Sequence, residues 1–307
     1  MEQSGGIGID LGGTSIKYGL VGQNKKVYWN SKKPTKAQTS SQEVIDNILR
    51  AIIETTNQAK QLNFRVKSIG IGTPGLVKDN KTIIGGAYNI ADWINIPLGN
   101  IVSEKMKLPV FVGNDADMMG IGEFAASQSA SDDTVLFITL GTGIGGAIFI
   151  KGEIFTGHYG FGGELGVFPM LMNGEVVKWE DIASTSAMVN FYKKQCHNDI
   201  KDKVNGKFIT KKYFEQEPLA LQIIEKSSEY IALGLAGYIN ALNPKKVVIG
   251  GGISGAGEFF INKIKEKVKL FAIKECLDNV QIEPAKLGNK AGFIGAALFA
   301  LKKINKN

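Results

Sequence analysis

Hydrophobic positions along the chain fall into short runs ended by glycine, separated by stretches with helical spacing. Ile7 to Asp10 reads as a buried strand, Ile16 to Val21 as its hairpin partner, and Lys26 to Asn30 as a third strand. Ser41 opens a helix with Glu43 in its first turn and apolar residues at Val44, Ile45, Ile48, Leu49, Ile52 and Ile53. A strand returns at Ser68 to Ile71 and ends in Gly72-Thr73-Pro74-Gly75. A loop-rich stretch with Asn89 and Trp93 precedes a helix over Leu98 to Met106. A short strand, Val110 to Val112, then runs into Gly113-Asn114-Asp115-Ala116.

The second half starts over in the same style. Val135 to Thr139 is a strand, Leu140-Gly141-Thr142-Gly143-Ile144-Gly145-Gly146 a turn, and Ala147 to Lys151 the returning strand. Ile9-Asp10-Leu11-Gly12-Gly13-Thr14 and Ile138-Thr139-Leu140-Gly141-Thr142-Gly143 look like one device used twice. Ile69-Gly70-Ile71-Gly72-Thr73 likewise resembles Val248-Ile249-Gly250-Gly251-Gly252. Such a duplication predicts two related α/β lobes facing a shared cleft. The expected division is residues 1–115 with a carboxy-terminal helix at about 293–307 for one lobe, and 116–292 for the other.

Length and composition agree with two lobes, since 307 residues with 44% apolar content exceed the usual single domain. The formal charge of +7 invites a nucleic-acid partner, but Arg50 and Arg65 are the only arginines among 36 basic residues. Arg is the side chain that forks onto guanine or phosphate. The lysines are scattered apart from Lys302-Lys303-Ile304-Asn305-Lys306, which fits a solvated face and argues against a nucleic-acid partner. Met1-Glu2-Gln3-Ser4-Gly5 holds no basic segment before an apolar run, so no secretory leader is expected. Val135 to Ile150 is broken by Thr139, Thr142 and glycines and falls short of the ~20 apolar residues of a membrane span. A cytoplasmic protein without a membrane segment is expected. Cys196 and Cys276 form no CxxC pair and read as reduced structural thiols.

Glycine-rich turns let backbone N–H groups approach a polyphosphate closely, because no side chain intervenes. Two such turns, Gly12-Gly13-Thr14 and Gly141-Thr142-Gly143, can hold phosphates from both sides, the positioning that phosphoryl transfer requires. Asp10 would then sit by the phosphates and hold Mg²⁺, directly or through water, unless it only stabilises its turn. Thr14 and Thr142 are candidate hydroxyl donors, and Lys17, on a hairpin strand, is more often simply solvated. Asp115 is the candidate general base toward an acceptor hydroxyl, with a helix N-cap as its competing role. Glu164 and Glu180 are candidates for binding sugar hydroxyls, with surface acids as the alternative. A dinucleotide-binding reading must also be weighed, because Gly141-x-Gly143-x-x-Gly146 and Gly250-x-Gly252-x-x-Gly255 both satisfy its glycine pattern. The first fails because a strand, not a helix, follows Gly146. The second lacks the acidic residue about twenty positions on, since Asp278 and Glu283 are poor fits.

Taken in order, Ile9 to Thr14, Gly72-Thr73-Pro74-Gly75-Leu76-Val77, Gly113 to Ala116, Leu140 to Gly146 and Gly163-Glu164-Leu165-Gly166 resemble the motifs of the ROK family (repressor, open reading frame, kinase), from about residue 6 to Leu298. The resemblance implies the α/β, two-lobed, actin/hexokinase-like ATPase fold of ribonuclease H-like type, with ATP, Mg²⁺ and a sugar meeting in an interlobe cleft. Carried over by position, it makes Asp115 the catalytic base. Asn114, Asn89, Glu164 and Glu180 become sugar contacts, the last within Glu180-Asp181-Ile182-Ala183-Ser184. Asp10, Gly12, Gly13, Thr14, Gly141, Thr142 and Gly143 take the phosphates, and the turn at Gly250 to Ser254, with Gly251 and Gly252, lies near the adenosine. A homodimer is the family expectation.

The chain departs from the family after Gly166. Many members place a histidine there and a cysteine cluster beyond it, together holding zinc, whereas this chain reads Val167-Phe168-Pro169-Met170-Leu171-Met172-Asn173-Gly174. No zinc site is expected, and the choice among glucose, N-acetylmannosamine and a β-glucoside stays open. A non-catalytic sugar-sensing regulator is the main rival. ROK repressors carry an amino-terminal helix-turn-helix, and a first strand beginning by residue 7 favours a kinase. An actin-like ATPase of assembly or chaperone type is the other rival, and the sugar-matched residues count against it.

Overall fold

The computed structural model describes residues 3–87, 89–127, 129, 133–252 and 258–305. The chain opens with β1 (Gln3–Leu11), β2 (Ser15–Gly22) and β3 (Val27–Pro34), followed by α1 (Ser41–Gln61), β4 (Phe64–Thr73), the hairpin β5 (Leu76–Lys78) and β6 (Thr82–Gly85), α2 (Leu98–Met106), β7 (Val110–Asn114) and α3 (Asp115–Ala126). It continues through β8 (Val135–Leu140), β9 (Ile144–Ile150) and β10 (Glu153–Ile154), then the hairpin β11 (Pro169–Met172) and β12 (Glu175–Lys178). Four helices follow, α4 (Trp179–Ala183), α5 (Thr185–Gln195), α6 (Gly206–Phe214) and α7 (Pro218–Leu242). The chain ends with β13 (Lys246–Gly251), α8 (Glu258–Phe271), α9 (Lys274–Leu277), β14 (Gln281–Pro284) and α10 (Ala291–Ile304).

Two five-stranded sheets carry the fold, ordered β3-β2-β1-β4-β7 and β10-β9-β8-β13-β14. In each, an antiparallel hairpin is extended by two parallel strands, β4 and β7 in one and β13 and β14 in the other. The duplication read from the glycine turns is therefore a duplication of topology. Even the fainter likeness of Ile69–Thr73 to Val248–Gly252 falls on strands that hold the same place in their sheets.

Two compact units contain these sheets. One comprises Met1–Ser129, Ile154–Gly162 and Leu287–Asn307, the other Ala130–Glu153 and Gly163–Lys286. The glycine-turn pattern places the line at residue 115, ahead of α3, and the returning helix at about 293. The units instead divide after α3 and before α10, because these two helices pack backbone to backbone. A Cβ on Gly295 would strike the Met118 carbonyl oxygen, and one on Gly122 the Ala291 carbonyl oxygen. Small residues at both crossing points let the helices approach as larger ones cannot.

In the first unit, alternation along β1 sends Ile7, Ile9 and Leu11 into a core shared with Val44, Ile48 and Ile52 of α1. The opposite face carries Gly6, Gly8 and Asp10, and there α10 lies against the sheet: Phe293 and Ala296 bring their carbonyls where side chains on Gly8 and Gly70 would be. In the second unit, Leu136, Ile138, Val247 and Ile249 pack against Trp179, Ile231, Leu235, Phe260 and Ile264. The hydrophobic pattern predicts no element over 185–242, where α5, α6 and α7 stand. Its returning strand from Ala147 in fact begins at Ile144, so Gly145 and Gly146 lie within the β8–β9 ladder. Leu165 occupies the space beside Gly146. Among the described residues, no helix is long and apolar enough to cross a membrane.

Candidate active site

Adjacent parallel strands in the first unit end side by side, with Asp10 opposite Gly72 and Thr73 opposite Asn114. Chemistry-bearing residues gather at such carboxyl ends because the loops leaving them are free to vary. The turn after β1 holds Gly12, Gly13 and Thr14. It is tied from behind by Thr35, fully buried, whose hydroxyl donates to the Gly12 carbonyl at 2.5 Å and whose N–H donates to the Thr14 carbonyl at 3.0 Å. Asp10, 6% exposed, sits just before the turn; a Cβ on Gly292 in the first turn of α10 would collide with its carboxyl group. Burial pushes the Asp10 carboxyl above its ordinary pKa, and the charge and hydrogen bond of Lys17 pull it back. Lys17 is therefore not simply solvated: it is the direct cross-strand partner of Asp10, with its Nζ 3.3 Å from Oδ2.

At the end of β7, Asn114 caps α3, its Oδ1 accepting from the N–H groups of Ala116 at 2.8 Å and Asp117 at 3.3 Å. Its Nδ2 donates to the Gly75 carbonyl at 3.2 Å, joining β7 to the glycine loop after β4. The capping role that competed for Asp115 thus belongs to Asn114. Asp115 is the first helical residue, half-buried, with Oδ1 accepting from Ala116 N–H at 3.0 Å. Asn89 is exposed, and its amide nitrogen occupies the space beside Gly13. Trp93, nearly fully buried, anchors that loop by donating from Nε1 to Thr73 Oγ1 at 2.9 Å.

The second unit builds its turn, Gly141-Thr142-Gly143, the same way. Thr185 donates its hydroxyl to the Leu140 carbonyl at 2.9 Å, and Ser186 donates its N–H to the Gly141 carbonyl at 3.3 Å. Glu180, at the start of α4, accepts from Ile144 N–H at 3.2 Å, and its carboxylate fills the place a Cβ on Gly143 would take. Its charge also acts on Glu164: desolvation first, and then Glu180, raises the Glu164 carboxyl above the usual range. The two acids singled out from sequence are therefore neighbours, and Glu180 is bonded to the second turn. Gly250 and Gly251 pair with Thr139 and Leu140 beside that turn. Gly251 needs its φ of 90° and its missing side chain, because a Cβ would meet the Leu140 backbone. Gly252 follows; Ile253, Ser254 and Gly255 of the same glycine pattern lie outside the described residues.

Thr35, Thr185 and Lys17 were not singled out as site residues. The two threonines carry no local signal, since each reaches its turn from a following segment. Lys17 was detectable from hairpin register, which puts it opposite Asp10 once the turn is located.

The residues fit a magnesium nucleotide. A Cβ on Gly141 would meet nothing within 4 Å, and one on Gly252 nothing closer than 3.9 Å, so both loops border open space. Asp10 offers the hard oxygen ligand that Mg²⁺ takes. After Gly166 the fit to zinc is absent. Val167, 45% exposed, closes the 3-10 turn Leu165–Val167, and an apolar hairpin follows. Among the described residues, no three His, Cys, Asp or Glu side chains group to hold a metal.

Known proteins resemble this chain over nearly its whole length. A glucokinase from Thermotoga maritima is 31% identical over 314 residues, covering 97% of this chain and 98% of that protein. The crystal structure of a ROK family glucokinase from Streptomyces griseus in complex with glucose and AMPPNP superposes with a TM-score of 0.83 at 29% identity, covering 97% of this chain and 99% of that one. A xylose repressor from Caldicellulosiruptor bescii is 26% identical and is covered over 76% of its length, against 94% of this chain. The architecture is the two-domain actin-like ATPase fold with mixed sheets. With the match to the ROK family running over residues 6–303, the chain belongs to that family.

Proposed function

We propose that the chain is an ATP-dependent sugar kinase, transferring the γ-phosphoryl group of ATP to the 6-hydroxyl of a hexose, hexosamine or β-glucoside, with glucose as the first candidate. The observation that carries this reading is the half-buried carboxylate of Asp115 at the start of α3, set beside the strand ends that also carry Asp10. The glucokinase relative supports glucose as acceptor. Bound Mg·ATP supplies the phosphoryl group and neutralises its charge.

Asp115 accepts the proton of the acceptor hydroxyl, and Asn114, Asn89, Glu164 and Glu180 orient the sugar. The glycine turns hold the phosphates with backbone N–H groups, and Asp10 holds the metal, directly or through water. The turn at Gly251 and Gly252 takes the adenosine end. The same reading sets the protein in the cytoplasm, where ATP is available, as a homodimer without structural zinc.

The test is ADP release with Mg²⁺ across glucose, mannose, N-acetylmannosamine, N-acetylglucosamine and cellobiose. Sugar-dependent release is expected for at least one, and a flat response across all would overturn the reading. A second reading, a sugar-binding regulator without turnover, draws on the xylose repressor relative. It is distinguished by sugar binding in calorimetry with no ADP release. Chelator-washed protein is expected to carry no stoichiometric zinc by elemental analysis, and one zinc per chain would contradict this.

A further inference from the structure

A groove of about 800 Å³ runs along the outer edge of the second unit's sheet, walled by α8, by α9 and the turn after it, and by β14. That volume lies within the range of small-molecule sites. β14 is the last strand of its sheet. Gln281 and Ala285 donate their N–H groups to Lys245 and Ile249, so by alternation the N–H of Ile282 points away from β13, toward the open edge. Two residues on, Pro284 has no N–H to offer, and a further strand would find a poor partner here. The edge suits a small molecule better than an added strand.

The charge of the groove is unbalanced. Lys265 and Lys269 stand one turn apart on α8, share a face and line the groove, the first half-buried and the second exposed. The acids that line it are already taken, Asp278 by Lys274 at 3.1 Å and Glu283 by Lys246 at 3.0 Å. Glu225 pairs instead with Lys263 and Lys267, also on α8. Among the described residues, Lys265 and Lys269 have no carboxylate partner. Leu277 and Val280, both half-buried, give the groove an apolar wall. Lysine presents a point charge that suits a tetrahedral phosphate, whereas planar carboxylate recognition favours arginine. Arg50 and Arg65, the chain's only arginines, are both in the first unit.

The groove is also remote from the second unit's glycine turn. Gln281 pairs with Lys246 at the start of β13, and Gly251 closes that strand six residues along. At ~3.3 Å per residue the two ends lie roughly 17 Å apart.

We propose that this groove is a ligand site separate from the glycine turns, for an organic phosphate with a flat or apolar body. The phosphate lies between the ammonium groups of Lys265 and Lys269, with the Ile282 N–H as a further donor, and the body rests on Leu277 and Val280. The inference does not depend on the kinase reading.

The probe is 1-naphthyl phosphate, titrated into the full chain by calorimetry at low salt, with inorganic phosphate and 1-naphthol for comparison. One molecule is expected to bind per chain, about tenfold or more tighter than either comparison compound, because both the charge and the apolar body are held. Lys265→Ala/Lys269→Ala is expected to weaken the probe about ten- to a hundredfold, the size of lost hydrogen bonds to a charged group. Lys60→Ala/Lys105→Ala, which removes the same charge from exposed positions of the first unit, is expected to leave its affinity unchanged. Saturating Mg·AMPPNP is likewise expected to leave it unchanged. Alanine is favourable in a helix, and Lys265→Gln/Lys269→Gln serves as a second variant with the side-chain length kept. No measurable binding of the probe to the wild type, equal affinity in the wild type and both groove variants, equal loss in the first-unit variant, or displacement by Mg·AMPPNP overturns the proposal.

Discussion

The two glycine hairpins are the same construction with different chemistry. Each follows the first strand of its unit, each is tied by a threonine hydroxyl and an adjacent backbone N–H from a later segment, and each lies in a sheet of the same strand order. In the first, the cross-strand pair below the turn is Asp10 and Lys17; in the second, the register places Thr139 opposite Gly145. At the outer parallel strand the contrast repeats. β7 ends in Asn114 and runs into Asp115, whereas β14, in the same place, ends in Pro284. Topology was kept in both copies while the titratable groups at the strand ends concentrated in the first. The second unit draws its acids, Glu164 and Glu180, from segments outside its sheet. The candidate base therefore belongs to the first unit, and the second repeats the topology without a carboxylate directly after the matching strand.

The sharpest way to break this asymmetry is Asp115→Asn. If the base belongs to the first unit alone, kcat is expected to fall about 10²- to 10⁴-fold with sugar affinity largely kept, measured by ADP release and calorimetry. Near-normal turnover would place the base elsewhere.

Next in size is Gly251→Ala, which forces a side chain against the Leu140 backbone at a φ of 90°. A loss of about 1–3 kcal/mol in urea unfolding is expected, with weaker nucleotide binding. Unchanged stability would show that β13 can shift away from β8.

Thr35→Val and Thr185→Val test whether the two turns are equally supported. Each removes one hydroxyl donor to a turn carbonyl, and a loss of about 1 kcal/mol is expected for each, with a higher nucleotide KM. A change in KM from only one of them would show that the nucleotide depends on one turn more than the other.

The smallest effect concerns Glu164. Its carboxyl is raised in the folded state by desolvation and by Glu180, so the native protein binds more protons than the unfolded chain just above the usual carboxylate pKa, and stability falls as pH rises through that window. Glu164→Gln is expected to melt slightly higher than wild type at pH 7, with the difference fading below about pH 4, where both states are protonated. A difference that persists in acid would contradict this origin.

Much of the fold was legible in sequence because its signals are local. The apolar runs around Ile7–Asp10, Val135–Thr139 and Val247–Ile249 lie on strands, and the spacing from Ser41 and Leu98 lies on helices. The long helix α7 went unread although it is apolar along one face. Pro218 at its first position and Asn243-Pro244 after its end mark its bounds, but Ser227, Ser228 and Gly234, buried within it, blur the apolar stripe. The grouping of α3 with the first unit is not legible in sequence, because the contact between Gly122 and Ala291 has no trace in neighbouring residues.

The sequence by itself determined the glycine turns, their duplication, the five ordered motifs and the absence of family histidine and cysteine after Gly166, because each is carried by residue identity over a few consecutive positions. Only the tertiary structure decided that Asn114 takes the cap from Asp115, that Glu180 is bonded to the second turn beside Glu164, and that Thr35 and Thr185 support the two turns. These depend on which side chains meet across a sheet or between segments far apart in the chain, and such meetings are set by packing and hydrogen-bond satisfaction over the whole unit.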